Sequence, residues 1–95
     1  MKTNAVIISA ADNVVVAVEP IAKGDSVDFG PLQKEPLIAT QDIPLYHKLA
    51  ICDIAAGEKV TKYGEHIGEA TVFIPRGAHV HVHNVRGVRE NLDNK

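Results

Sequence analysis

Ile21-Ala22-Lys23-Gly24-Asp25-Ser26-Val27 sets the architecture of this chain, because weak copies of it recur at residues 43–49, 54–60 and 74–80. We name these four stretches corners 1 to 4 in chain order. They share the pattern Ile-x-x-Gly-x-x-Val, with Tyr46 and Leu49 as exceptions. Each predicts an apolar strand end, a turn with glycine where φ is positive, and an apolar residue that returns to the core. Their irregular spacing favours one folded-over β unit over a solenoid.

Short apolar segments rich in valine and isoleucine fill the rest of the chain, separated by glycine, proline and acidic residues. This rhythm is typical of strands, because β-branched side chains suit a pleated surface. The sequence therefore predicts a mostly β fold with at most one short helix, at residues 48–54. Residues 28–35 are predicted to be a loop between two halves, residues 1–85 one domain, and residues 86–95 a polar tail or linker.

The composition limits the kind of protein that this chain can be. Its 95 residues suffice for one compact domain, and with 4% aromatic residues and no tryptophan the core must consist of aliphatic side chains. A net charge of −2 argues against a nucleic-acid binder that works through a basic surface. No apolar run approaches the ~20 residues that span a bilayer, and the N-terminal one is too short for a signal peptide.

The single cysteine, Cys52, excludes an intrachain disulfide and a zinc ribbon, so we expect a cytoplasmic protein. Cys52 lies in an apolar segment, which predicts a small buried residue rather than a nucleophile. The segment Tyr63-Gly64-Glu65-His66 predicts a tight turn before a strand. It is no phosphate loop, because it lacks the Gly-Lys-Ser/Thr sequence.

His79-Val80-His81-Val82-His83-Asn84 is the segment richest in potential chemistry. Strand alternation would place the three histidines on one face and the valines on the other. Neutral imidazoles on one face can share a divalent metal ion, which makes His79, His81 and His83 candidate ligands. The remaining ligands would have to come from His47, Asp53, Glu65 or His66. The alternatives are a half-buried strand with a polar face, and a surface that contacts a partner's active site.

Five segments together resemble the N-terminal domain of the altronate dehydratase family over roughly residues 12–93. They are Asp12-Asn13-Val14-Val15-Val16-Ala17, Asp42-Ile43-Pro44 with His47-Lys48-Leu49-Ala50, residues 53–60, Lys62-Tyr63-Gly64 with Ile67-Gly68, and residues 79–84. In this family the domain also occurs as a separate small subunit, in altronate dehydratases and in sulfolactate sulfo-lyase. Galactarate dehydratase has a divergent version.

The resemblance implies a SAF-type β-clip fold and participation in the elimination of water from a sugar acid, which yields a 2-keto-3-deoxy acid. It also implies a divalent metal ion, Fe²⁺ or Mn²⁺, held mainly by a large subunit or C-terminal catalytic domain. This chain would then cover or complete a site whose main catalytic residues belong to that partner, and it would be inactive alone.

Several residues match the family's pattern position by position. His47 and Lys48 match a His-Lys pair and are the catalytic candidates. The residues expected to face the substrate or the partner are Tyr63, His81, His83 and Asn84. Two positions depart from the pattern: Tyr46 stands where glycine is usual, which would reshape the corner that presents His47, and Ala78 replaces a commonly acidic residue.

Three other interpretations remain open at this point. The chain could be a binding module that recognises a carbohydrate or metabolite without chemistry, because one fold often serves unrelated functions. It could be the small subunit of a sulfolactate sulfo-lyase, or a free-standing metal-binding protein. Strand edges that a partner normally covers could also pair with another copy of the chain and form a homo-oligomer.

Overall fold

Nine short β-strands and no helix make up residues 3–87, the part of the chain that the computed structural model describes. The mostly β fold is therefore confirmed, and no helix in this region is long and apolar enough to cross a membrane. The short helix predicted at residues 48–54 is wrong, because its first residues pair with strands on both sides. The strands are β1 Ala5–Val6, β2 Val14–Ala17, β3 Ser26–Val27, β4 Leu37–Ile38, β5 Lys48–Ala50, β6 Lys59–Lys62, β7 Glu65–Ala70, β8 His79–Val80 and β9 Val85–Gly87.

The strands form a central four-stranded sheet in the order β1-β2-β5-β8 and two flanking ribbons, β3-β4 and β6-β7-β9. All pairings are antiparallel. Residues 28–35 connect β3 to β4, so the predicted loop closes one hairpin and does not separate two halves. Arg86 and Gly87, assigned to the tail by sequence, belong to β9 and pair with β7. The rest of that tail, residues 88–95, lies outside the described residues.

Two apolar clusters flank the central sheet. Neighbouring residues of β2 and β5 point to opposite faces, so Val15 and Leu49 enter one cluster while Val14 and Ala50 enter the other. The β3-β4 ribbon covers the first cluster and the β6-β7-β9 ribbon covers the second. Apart from Phe29, the buried apolar side chains are aliphatic, as the composition predicted.

The four corners adopt the predicted turn. The fourth residue of each has positive φ: 93° at Gly24, 67° at Tyr46, 87° at Gly57 and 88° at Gly77. The first residue of each corner is a buried isoleucine. These isoleucines form two antiparallel bridges, Ile21 with Ile43 and Ile54 with Ile74. The corners are therefore joined in pairs, 1 with 2 and 3 with 4.

The kind of residue at the fifth position of a corner follows the kind of residue at its second position. In corners 1 and 3 the carboxylates of Asp25 and Glu58 accept a hydrogen bond from the backbone N–H three residues earlier. In corners 2 and 4 that earlier residue is proline, which has no N–H to donate. A carboxylate at the fifth position would lack this donor, and the fifth positions are His47 and Ala78.

Asp12 ties the β6–β7 turn to the start of β2. Its buried carboxylate accepts hydrogen bonds from the backbone N–H groups of Ser9 at 3.0 Å, Gly64 at 2.7 Å and Ile8 at 3.3 Å. Burial raises the pKa of this carboxyl, but backbone donors at Gly64, Ser9, Tyr63 and Ile8 outweigh it and hold the pKa below its usual value. The position of the exposed Tyr63 therefore depends on Asp12.

Asp12→Asn should destabilise the fold at neutral pH. The amide NH₂ group would face backbone N–H donors, and leaving one of them without an acceptor costs about 1–3 kcal/mol. Because the folded-state pKa is depressed, the stabilisation by the carboxylate is present above its unfolded pKa, near 3.8. It is lost as the pH falls through the folded-state value. In urea unfolding, the free energy of unfolding of the variant should therefore lie well below that of the wild type at pH 7, and this difference should become smaller in acid.

Glu65→Gln, at an exposed position in β7, is the matched control and should change stability little. If the free energies of unfolding of the wild type and Asp12→Asn differ by the same amount at pH 7 and in acid, the ionised carboxylate does not have the proposed role.

Tyr46→Gly should stabilise the fold. Tyr46 has a φ of 67° and is 71% exposed, so its ring offers little packing to offset a left-handed backbone that costs about 1–2 kcal/mol. Part of that gain is lost to the greater chain entropy of unfolded glycine, which leaves a net gain below about 1 kcal/mol. Leu45→Gly, at the preceding residue without positive φ, should be destabilising. Thermal unfolding of both variants tests this, and a less stable Tyr46→Gly would show that the ring holds the corner.

Candidate functional site

Four histidines gather where β5 meets β8 at one edge of the central sheet. His47 lies immediately before β5, and His79 is the first residue of β8. The antiparallel register pairs Leu49 with His79 and Lys48 with Val80, so the next pair outward places His47 opposite His81. Corners 2 and 4, far apart in sequence, thus bring their histidines to one place.

The rings of three of these histidines are in direct contact. His47 Nδ1 lies 2.8 Å from His79 Nε2, a hydrogen-bond distance in which the tautomer sets the donor. The ring of His81 stacks on that of His47, with centroids 3.9 Å apart and planes inclined by 15°. One ring nitrogen from each of the three lies within 4.8 Å of the others. We name these three residues the histidine cluster. His83 is exposed and its ring centroid lies 5.0 Å from that of His79.

The predicted strand at residues 79–84 is wrong beyond Val80. β8 ends there, residues 81–84 form a turn, and Val82 is 82% exposed rather than buried. Asn84 closes this turn, because its Oδ1 accepts from the His81 N–H at 2.9 Å and its Nδ2 donates to the His79 carbonyl at 2.8 Å. The turn keeps His81 and His79 on the same side.

Asn84 does not face outward as the sequence suggested. It is 7% exposed and both ends of its amide bond to the backbone of the histidine segment. It therefore holds the histidine segment in place, and it also lines a cavity together with His83. Tyr63 is 55% exposed at the β6–β7 turn, in another sheet, with Lys62 Nζ 4.7 Å from its ring centroid.

Burial controls the protonation of the cluster. It lowers the pKa of His79, and the neighbouring His83, His47, His81 and Lys48 lower it further. Burial also lowers the pKa of His81. Both rings are therefore neutral at pH 7 and offer a lone pair.

His81 and Lys48 are both partly shielded from solvent at this edge of the sheet. His81 Nδ1 is buried and has no hydrogen-bond partner among the described residues. Lys48, the other catalytic candidate, is half-buried in β5, and its pKa is lowered by burial and by Lys62.

The other ligands that the sequence offered lie elsewhere. Asp53 accepts a hydrogen bond from the Arg76 N–H, while Glu65 and His66 belong to β7. Within residues 3–87 the histidine cluster is the only group of three or more metal-ligating side chains. His47, which the sequence left unplaced, is therefore the residue that joins His79 and His81.

Cys52 is exposed, so its predicted burial is wrong. Partial desolvation and the nearby Glu58 and Asp53 carboxylates raise the pKa of its thiol. The thiol is therefore protonated at neutral pH, which makes it a weak nucleophile.

The three antiparallel sheets wound through four corners form a SAF-type β-clip domain, which confirms the predicted fold. Residues 3–88 match the family described as the altronate/galactarate dehydratase SAF domain, and the chain belongs to this family. The resemblance found in the sequence is therefore confirmed.

The relatives that match the chain include proteins of very different length. Altronate dehydratase of Escherichia coli K12 is 42% identical over 86 residues, which cover 90% of this chain and 17% of the relative. The (2R)-sulfolactate sulfo-lyase subunit alpha of Chromohalobacter salexigens is 38% identical over 93 residues, which cover 94% of this chain and 99% of the relative. The chain thus spans about a sixth of the dehydratase and nearly all of the sulfo-lyase subunit.

The fold should lose stability as the pH falls below about 6.5. His79 and His81 have folded-state pKa values below the usual 6.5, so the unfolded chain binds more protons just below that pH. Their contribution is present above pH 6.5 and is lost as the pH falls through the folded-state values. His81→Gln should flatten the dependence of the unfolding free energy on pH, measured with urea.

His66→Gln removes an exposed histidine from β7 and should leave the slope unchanged. If the unfolding free energy of His81→Gln changes with pH as steeply as that of the wild type, His81 does not contribute to the pH dependence.

Proposed function

We propose that this chain is the small component of a hydro-lyase that eliminates water from an aldonic or aldaric acid and forms a 2-keto-3-deoxy acid. One observation carries the proposal: the same domain makes up almost a whole lyase subunit in one relative and a small part of a dehydratase in another. Most of the dehydratase's length lies outside the matched domain. We therefore infer that a large component, separate or fused, supplies the main catalytic residues.

The edge that carries the histidine cluster is the face that we assign to the large component. Val72, Phe73 and Val82 are 53%, 57% and 82% exposed. Val72 and Phe73 line a cavity of about 370 Å³ together with His83 and Asn84. Exposed apolar side chains grouped in this way are typical of a protein contact. A partner that covers them would also enclose the cluster and exclude water from it.

The chemistry of the cluster suits an elimination. Removing water requires a base for the proton beside the carboxylate and an acid for the departing hydroxyl group. His79 and His81 are neutral and can each accept a proton at a ring nitrogen, and the contact between His47 Nδ1 and His79 Nε2 can pass a proton between rings. Lys48 supplies a positive charge beside them. A divalent metal ion, Fe²⁺ or Mn²⁺, held mainly by the large component, would acidify the substrate proton.

A second candidate function is the small subunit of a sulfo-lyase acting on a sulfonated hydroxy acid. The matching length supports this candidate, because the aligned region covers 99% of the sulfo-lyase subunit. Both candidates are eliminations from a hydroxy acid, and they differ in the leaving group. The pocket of the large component would distinguish the two substrates.

The direct test is an assay of 2-keto acid formation with Fe²⁺ or Mn²⁺, on the chain alone and mixed with the large component encoded in the same genome. Altronate, galactarate and sulfolactate are the substrates. We expect turnover only in the mixture. His47→Gln and His81→Gln should lower kcat by about 10²–10⁴-fold, the usual effect of losing a general acid or base.

His66→Gln is the matched control and should retain full activity. Turnover by the chain alone would show that it holds a complete active site. A mixture that forms a complex but converts none of the acids would favour the metabolite-binding module instead.

A further inference from the structure

We propose that His47, His79 and His81 form a transition-metal site that this chain builds without any partner. The site can be tested without the large component, because all three ligands belong to one folded domain. An ion bound there would occupy ring nitrogens that the proposed lyase function uses for proton transfer, so the cluster can act as base and proton relay only while the ion is absent. Within the described residues no other group of side chains offers three ligands. The proposed ion is distinct from the Fe²⁺ or Mn²⁺ assigned above mainly to the large component.

The distances between the rings suit a shared ion. Ring nitrogens of the three residues lie within 4.8 Å of one another, with His47 Nδ1 and His79 Nε2 at 2.8 Å. Two imidazole nitrogens on one tetrahedral Zn²⁺ lie about 3.3 Å apart, given Zn–N bonds of roughly 2.0–2.1 Å. The three rings are nearly parallel, with planes inclined by 9° to 17°, and the lone pair of an imidazole nitrogen lies in its ring plane. Binding a shared ion therefore requires side-chain rotations that open the bonded pair and turn the stacked His81 ring, so that all three lone pairs converge at that spacing. The ring that donates the hydrogen bond then moves its proton to its other nitrogen.

A second observation points to a ligand. His81 Nδ1 is buried and lacks a hydrogen-bond partner among the described residues, an arrangement that is costly for a polar atom. An ion bound there would relieve that cost. Asn84 holds the backbone on both sides of Val80 in place, much as outer-shell groups orient metal ligands in other proteins.

The donor set selects the class of ion. Three imidazoles without a carboxylate or thiolate suit Zn²⁺, Fe²⁺, Co²⁺, Ni²⁺ and Cu²⁺, whereas Mn²⁺ and Mg²⁺ prefer oxygen ligands. Three protein ligands also leave at least one coordination position open, as in catalytic zinc sites. The cluster lies at an edge strand beside the exposed His83, so water or an anionic oxygen can reach that position. We therefore expect Zn²⁺ and Co²⁺ to bind much more tightly than Mn²⁺.

The test uses the full chain without a histidine tag. Isothermal titration with Zn²⁺ and with Co²⁺ should show one ion per chain, and Mn²⁺ should bind at least about tenfold more weakly. Bound Co²⁺ should give the visible absorption of a nitrogen-ligated ion. Replacing His47, His79 or His81 with glutamine should each weaken Zn²⁺ binding more than about tenfold. His66→Gln should leave the affinity unchanged.

A measurement on the wild-type chain keeps the inference testable if a variant fails to fold. Long-range ¹H–¹⁵N spectra of the imidazole nitrogens should show shifts on Zn²⁺ addition at His47, His79 and His81, with His66 unaffected. The absence of saturable binding would overturn the inference. So would binding that survives His47→Gln and is lost in His83→Gln, because the ligands would then be the three alternating histidines of the C-terminal segment.

Discussion

Reciprocal hydrogen bonds between the corner isoleucines hold this domain together. The N–H of Ile21 donates to the carbonyl of Ile43 and the reverse bond is also made, and Ile54 and Ile74 repeat the arrangement. Each bridge buries two isoleucine side chains and satisfies their backbone groups at once. Pairs of corners are thereby locked, and very short strands suffice to build a folded domain with two small aliphatic cores.

The two corners that carry histidines of the cluster have proline at their second position, and the other two corners do not. Corners 1 and 3 use an acidic fifth residue to cap a backbone N–H, whereas the proline corners have no such donor. Their later positions are free for other side chains, and both proline corners bear histidines of the cluster. Tyr46 precedes His47 in a left-handed conformation, and backbone strain of this kind is often found beside functional residues.

The position of the histidine cluster is compatible with the proposed contact to a large component, whether that component is fused to the domain or separate. β8 is an edge strand, so the cluster lies at the border of the sheet rather than inside either apolar core. A large component can approach this border whether or not a linker joins it to the domain. Phe73 and Val82 are exposed, and Phe73 lines a cavity with His83 near the same border.

The local sequence pattern was enough to predict the mostly β fold and the four corners with their positive φ. These features depend on neighbouring residues and on strand and turn preferences. The helix at 48–54 was wrong because residues 48–50 pair in the sheet, and the strand at 79–84 was wrong beyond Val80 because the Asn84 side chain closes a turn there. The contact between His47 and His79, 32 residues apart, follows from the register of β5 against β8. Register depends on how the two cores pack, so it arises only when the whole chain folds.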